Sequence, residues 1–325
     1  MKEVRARVIL QEKGLYTINY DGNDKYAEVS GKYRHEANTV SDYPAVGDYV
    51  LAGWSEDDSN AVISALYPRK SVFIRKAAGN SHQEQVVAAN IDTIFICMSL
   101  NRDFNLRRLE RYLTVSWNSG ANPVVVLTKA DLCEDLSIKI DEVETVASGV
   151  DVVVTSSANN DFESIKMYLT PGKTVAFIGS SGVGKSTLIN KILGSDHIRT
   201  SSIGSNNKGR HTTTHRELIA LDNGAFVIDT PGMRELGLWD DEEGISETFA
   251  DVEMLSQSCR FSDCTHTNEP GCAVRQAVDN GELTEERLKA YQKLKKENQY
   301  AANESAYLQA KREKFMKIAK YNHHR

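Results

Sequence analysis

The sequence predicts three modules in series: a small OB-like β-barrel, an α/β domain on a mostly parallel sheet, and a helical segment built on a Cys/His cluster. Three observations carry this. Short β-like runs separated by Gly, Asn and Asp turns fill residues 1–70. Over residues 71–245 apolar strands alternate with helical stretches, the pattern of a parallel sheet covered on both faces. In residues 246–325 the strands stop, and three of the five cysteines fall between Cys259 and Cys272.

In the first module the runs are "EVRARVIL", "LYTINY", "KYAEVS", "VGDYVLAGW" and "NAVISALYP". Five short strands in this length suit an OB-fold, although an SH3-like barrel carries nearly the same pattern. The second module begins with "DTIFICMSL" and "NLRRLERYLTVSW", whose Leu106, Leu109, Leu113 and Trp117 share one helical face. "PVVVLTKAD", a short helix near 140–147, "VDVVVTSSA", "DFESIKMYL", "KTVAFIGS", a helix from Lys185, "ELIAL" and "AFVIDTPG" follow.

A chain of 325 residues that is 40% hydrophobic and 26% charged can bury a substantial core. No run approaches the ~18 apolar residues of a membrane span, and the charged start "MKEVRARVILQEKG" does not read as a signal peptide. A cytoplasmic protein without membrane contact is expected. The net charge of −6 argues against a uniformly basic, DNA-coating surface. Residues 285–325, however, carry +6 against −12 for the rest, so this basic segment is a candidate for RNA phosphates.

"GSSGVGKST" fits the phosphate-loop pattern: Gly179, Ser180, Ser181, Gly182, Val183, Gly184, Lys185, Ser186 and Thr187. It stands between a strand, "TVAFIG", and a helix, "KSTLINKIL", as the chemistry requires. Glycines let backbone N–H groups curl around phosphate, and the helix N-terminus adds partial positive charge. Lys185 would reach the β- and γ-phosphates, and Ser186 would hold Mg²⁺. "DTPG" follows an apolar strand, so that Asp229 can lie near Mg²⁺ and the Gly232 N–H near the γ-phosphate. "TKAD" ends another strand. There Asp131 can accept from the N1 and N2 donors of guanine, the stem of Lys129 can cover the ring, and Thr128 precedes them. "SSA" closes the next strand, where Ser157 and Ala158 can offer a backbone N–H to guanine O6.

The order is unusual: TKAD, SSA, the phosphate loop, a Thr-rich loop, then DTPG. It is a cyclic rotation of the ordinary GTPase order, made possible if the short link Thr170–Lys173 joins what are elsewhere the last helix and the first strand. With its barrel-like start, "GRHTTT" at Gly209–Thr214 and a terminal Cys/His module, the chain resembles the circularly permuted, small ribosomal subunit-dependent GTPases of bacteria over nearly its whole length. The resemblance implies an OB-fold, a permuted GTPase domain and a zinc-binding helical domain, and GTP/GDP with Mg²⁺ as ligands. It also implies that Thr213 completes the Mg²⁺ shell and that His211 orients the attacking water. The residues themselves do not choose among three threonines and two histidines in that loop. They do show Met233 where many small GTPases have a water-positioning Gln, so water must be positioned from elsewhere.

Cys259, Cys264, His266 and Cys272 offer three thiolates and one imidazole, the complement of one closed, structural Zn²⁺ site with no open position for catalysis. Cys97 and Cys133 read as buried side chains. The function expected is a monomeric GTP hydrolase that binds the 30S ribosomal subunit and its 16S rRNA, assists late maturation, and uses hydrolysis to time release. Two alternatives stand beside it: a GTPase acting on translating ribosomes or tRNA, and a zinc-dependent RNA-binding module using GTP only as a switch.

Overall fold

The computed structural model describes residues 2–12, 14–54, 60–76, 84–156, 159, 161–194, 217–229 and 243–299. The chain divides into two compact units, Met1–Gly237 and Leu238–Arg325.

Strands β1 (Lys2–Glu12), β2 (Leu15–Tyr20), β3 (Asn23–Val29), β4 (Tyr49–Trp54) and β5 (Ala61–Leu66) open the first unit, with helix α1 (Gly31–Glu36) between β3 and β4. β1 serves two neighbours. Its Lys2–Arg7 half runs antiparallel to β4 and its Arg7–Glu12 half antiparallel to β2, with a register shift between Val8 and Leu10 where it turns from one to the other. β2 pairs with β3, β4 with β5, and β3 lies parallel to β5, which closes the barrel. That parallel closure, together with the helix after the third strand, selects the OB topology over the SH3-like one. The interior follows the strand period of two: Ala6 and Val8, Tyr16 and Ile18, Ala27 and Val29, Val50 and Ala52, Ala61 and Ile63. Helix α1 has only six residues and no buried face to reveal it in the sequence; its Ser30 cap accepts from the Tyr33 N–H at 3.0 Å. β6 (Val72–Lys76) and β7 (Glu84–Ala89) form a separate antiparallel hairpin that the sequence pattern does not reveal.

The α/β part runs β8 (Thr93–Ser99), α2 (Leu106–Asn118), β9 (Asn122–Thr128), α3 (Leu136–Val146), β10 (Asp151–Val154), α4 (Glu163–Lys166), β11 (Thr174–Ile178), α5 (Lys185–Leu193), β12 (Glu217–Ala220) and β13 (Phe226–Asp229). In space the strands lie in the order β10-β9-β8-β11-β13-β12, all parallel except β12. The strand that feeds the phosphate loop thus lies inside the α/β part, although three strands of that part precede it in sequence. The Thr170–Lys173 link is a tight turn, Lys173 N–H donating to Thr170 O at 3.0 Å and Gly172 N–H to Gly224 O at 2.8 Å. Helix α4 is shorter than "DFESIKMYL" suggests. Its last turn tightens into i→i+3 bonds, and Pro171 disfavours helical geometry at Thr170.

Phe95, Cys97, Val124, Val126, Val175, Phe177 and Val227 share a core with Ile165, Leu188 and Ile189 of the helices. Burial pushes the Cys97 thiol up to about 12, the behaviour of an inert core residue, whereas Cys133 is only partly buried. Barrel and α/β sheet are continuous through the pairing of Leu10 with Glu217. Arg7 adds a side-chain link between them. It is buried, its Nη2 donates to Thr174 Oγ1 at 2.5 Å, and its guanidinium lies 5.0 Å from the Tyr49 ring and 4.5 Å from the Phe226 ring.

The second unit contains α6 (Glu243–Thr248), α7 (Ala250–Ser256), α8 (Ala273–Asp279) and a helix, α9, over 285–299. The division expected after residue 245 falls inside α6. Ile245, Phe249, Val252, Val274, Leu288, Tyr291 and Leu294 are buried. Arg287 ties α9 to α7, donating to Thr248 O at 2.6 Å and to Asp251 at 3.0 Å while lying over the Phe249 ring. No helix among the described residues is long and apolar enough to cross a membrane.

Candidate functional site

In an open parallel sheet, ligands bind beyond the carboxyl ends of the strands. Those ends gather here the motifs that the sequence scatters: Thr128 closes β9, Gly179 follows β11 and Asp229 closes β13.

The phosphate loop is built on a close approach that only glycine permits. Gly179 has φ +142°, and a Cβ there would stand 2.4 Å from Cys97 O of the neighbouring strand. Gly182 and Gly184 also have positive φ, curling the chain so that α5 begins at Lys185. Lys185 folds back over the loop, its Nζ donating to Gly179 O and to Ser180 O, both at 2.6 Å. Ser186 and Thr187 occupy the first turn of α5, where helix N–H groups and the macrodipole favour anions.

The TKAD segment is joined to this loop directly. Thr128 Oγ1 donates to Val183 O at 2.5 Å and Lys129 Nζ to Gly182 O at 2.7 Å. Lys129 adopts left-handed backbone, φ +59°, uncommon for a side chain of this kind and fixed here by the turn over Ala130–Leu132. Asp131 is exposed and its Oδ1 accepts from Ser156 Oγ at 2.7 Å. Ser156, the first residue of the SSA stretch, and Asp161 bridge each other at 3.3 and 3.0 Å. Two loops joined by contacts across 53 and 55 positions therefore present a carboxylate and a lysine stem beside a phosphate cradle. Ser157, Ala158, His211, Thr213, Gly232 and Met233, and the side chain of Asp229, lie outside the described residues.

One contact was not legible in the sequence: Ser180 Oγ donates to Asp103 Oδ2, and Asp103 pairs with Arg108 through both carboxylate oxygens at 3.0 and 3.3 Å.

In the second unit Cys259, Cys264, His266 and Cys272 converge, their ligand atoms all within 4.8 Å of one another. A tetrahedral ion at the zinc–thiolate distance separates two sulfur ligands by about 3.8 Å. The Sγ atoms of Cys259 and Cys272 stand 3.9 Å apart, and His266 Nδ1 lies 3.6 and 3.5 Å from them, so the donor set fits zinc. Burial holds the His266 imidazole below its ordinary value, favouring the neutral form that ligates metal. The loop is braced from behind: Glu269 accepts from the N–H groups of Thr265 and Thr267 at 2.8 Å, and Gln292 Nε2 donates to His266 O at 2.9 Å.

A phosphate loop, a guanine-type TKAD segment bonded to it, and a strand order in which the phosphate-loop strand comes after the base-recognition strand define a circularly permuted P-loop GTPase. The family model described as RsgA GTPase matches residues 66–239. The chain is 50% identical to the small ribosomal subunit biogenesis GTPase RsgA 2 of Lactiplantibacillus plantarum, over 99% of this chain and 93% of that protein. It is 46% identical to the RsgA of Opitutus terrae over 96% and 89%. Among solved structures, YjeQ from Thermotoga maritima is similar with a TM-score of 0.70 and 30% identity, covering 91% of this chain and 99% of that one. YloQ, described as a circularly permuted GTPase, gives a TM-score of 0.65 and 27% identity, covering 92% and 96%. The chain belongs to the RsgA GTPase family.

Proposed function

We propose that this protein is a GTPase that binds the small ribosomal subunit, assists its late maturation and uses GTP hydrolysis to time its own release. The observation that carries the reading is the joining of the TKAD segment to the phosphate loop through Thr128 and Lys129, which supports guanine recognition beside phosphate binding. The relatives' printed names supply the ribosomal assignment.

In this reading Asp131 accepts from guanine N1 and N2, with Lys129 over the ring and Ser157 and Ala158 at O6. Residues Gly179 to Thr187 wrap the phosphates and Lys185 neutralises charge on the β- and γ-oxygens. Ser186, Thr213 and Asp229 would hold Mg²⁺, which when bound supplies charge stabilisation for the leaving and transferred phosphoryl oxygens. Gly232 offers an N–H to the γ-phosphate. His211 orients the attacking water, a task for which the Met233 thioether, only a weak acceptor, is unsuited. Zinc at Cys259, Cys264, His266 and Cys272 is structural.

RNA contact falls to the barrel and the basic C-terminal segment, with cytoplasmic localisation and action as a monomer. Tyr20, Lys25, Tyr26 and Trp54 line an open groove on the barrel, with Lys25 Nζ 5.2 Å over the Trp54 ring, a combination of aromatic faces and cation that suits unpaired bases. Sedimentation with purified subunits tests the ribosomal assignment. The chain loaded with a non-hydrolysable GTP analogue should travel with 30S and not with 50S particles, and equal partition between them would overturn it.

A further inference from the structure

We infer that Asp103 is a positioning residue of the nucleotide site, acting on the phosphate-loop lysine through Ser180. Reading Gly179–Ser186 as the phosphate loop is the premise on which this rests. The contacts form a chain. Arg108 forks onto Asp103, Nη1 reaching Oδ1 at 3.0 Å and Oδ2 at 3.3 Å, while Nη2 reaches Oδ1 and the Asp103 carbonyl, both at 3.0 Å. The carboxylate so fixed accepts the Ser180 hydroxyl. The carbonyl of that same Ser180, with that of Gly179, receives the Lys185 ammonium.

Asp103 is well placed to be an anchor. It sits in the short connection between β8 and α2, whose backbone is pinned: Asn101 Oδ1 accepts from the Asp103 N–H at 2.9 Å and from Ser99 Oγ at 2.8 Å. Arg108 stands in the first turn of α2, where Asn105 caps its own N–H at 3.0 Å. The loop being anchored is the opposite kind of segment, with positive φ at Gly179, Gly182 and Gly184. Such a chain does not hold its carbonyls in one orientation by itself. A hydroxyl donating to a carboxylate is a charge-assisted bond, strong enough to set the Ser180 peptide and hence the seat of the ammonium.

The charge arithmetic gives the arrangement a distinctive consequence. A bare carboxylate behind a phosphate cradle would repel the ligand; paired with Arg108 it anchors the loop without presenting net negative charge. Arg108 thus has an electrostatic part that a purely structural residue would lack. Removing the arginine alone should harm nucleotide binding more than removing both members of the pair.

The test is a double-mutant cycle read in nucleotide affinity and turnover, with thermal stability followed in parallel. Ser180→Ala and Asp103→Asn should each lower GTP affinity about tenfold, the equivalent of about 1.4 kcal/mol. Their combination should be little worse than either alone, and Ser180→Thr, which keeps the hydroxyl, should restore most of the loss. Arg108→Gln should weaken GTP more than GDP, and Arg108→Gln with Asp103→Asn should bind GTP better than Arg108→Gln alone. Additive losses, or single variants that shift the melting temperature while affinity and kcat stay at the parent's values, would overturn the inference. Lys185→Ala separates the premise from the proposal. If it abolishes nucleotide binding while the Asp103 and Ser180 variants bind normally, only the role of Asp103 fails; if Lys185→Ala binds GTP as the parent does, the phosphate-loop reading fails and the inference with it.

Discussion

Replacing Gly179 by alanine puts a single methyl group where the phosphate loop presses against the neighbouring strand. Its Cβ would stand 2.4 Å from Cys97 O and 3.3 Å from Cys97 C, where 3.0 Å is the practical lower limit. The obstacle is backbone in the middle of the sheet: β8 is bonded on both sides, Ile96 against Ile178 and Cys97 against Val126, so it cannot retreat cheaply. The loop must move instead. Holding an alanine at φ +142° costs about 1–3 kcal/mol, and disturbing a backbone hydrogen bond adds about 1 kcal/mol. A total of about 2–4 kcal/mol, taken from the geometry that cradles phosphate, is roughly a 30- to 1000-fold loss of nucleotide affinity. Titration calorimetry with GDP measures the loss, and the GDP-induced rise in melting temperature should shrink with it. Gly172→Ala is the control. Its φ of +77° brings the left-handed strain, but nothing lies within 4 Å, so it should cost about 1 kcal/mol of stability and leave GDP affinity intact. If Gly179→Ala bound GDP as tightly as the parent, the steric reading of the loop would be wrong.

Asp131→Asn should weaken GTP by about two orders of magnitude or more and favour xanthine nucleotides, whose base presents an acceptor where guanine presents a donor, since a site built to hydrogen-bond its ligand rejects a mismatched one by up to about 10⁴–10⁵; competition binding with GTP, XTP and ATP checks it, and unchanged GTP affinity would remove TKAD from the pocket. Chelation or Cys264→Ser should loosen the second unit, seen as lost helical signal and lost 30S association, while GDP binding stays within about twofold; elemental analysis should find one zinc per chain, and metal-free purified protein would sink the assignment. His211→Ala should retain GTP-dependent 30S association but lose most of the stimulated turnover, and stimulation equal to the parent's would show that the water is positioned by another group.

Much of this architecture is written in local sequence, and what is not has a common cause. The strands of the α/β sheet are continuous apolar runs, as burial on both faces demands, so Ile94–Met98 and Val124–Leu127 are recognisable without any partner. The phosphate loop and the Cys/His cluster are equally local, because each needs its residues within a few positions of one another. Helix α1 is not legible: six residues without a buried face give no period. The β6–β7 hairpin escapes for a related reason: its runs are only five and six residues long, and seven residues of chain stand between them. The barrel class was ambiguous until the parallel β3–β5 pairing fixed it, a contact between segments more than thirty residues apart. Contacts between segments distant in sequence are the ones most readily missed. Asp103 meets Ser180 across 77 positions and Arg7 meets Thr174 across 167, and nothing in the vicinity of either residue signals its partner. Permutation was readable because it is a statement about order; the carboxylate behind the phosphate loop is a statement about space.

The measurement that bears most directly on the account is steady-state phosphate release from GTP by the purified protein, alone and with stoichiometric 30S or 50S particles, with ATP as the comparison nucleotide. Turnover should be slow for the free protein, rise more than tenfold with 30S particles, and stay at the free rate with 50S particles or when ATP replaces GTP. Hydrolysis of ATP at the rate of GTP, or a GTP rate indifferent to 30S, would contradict it.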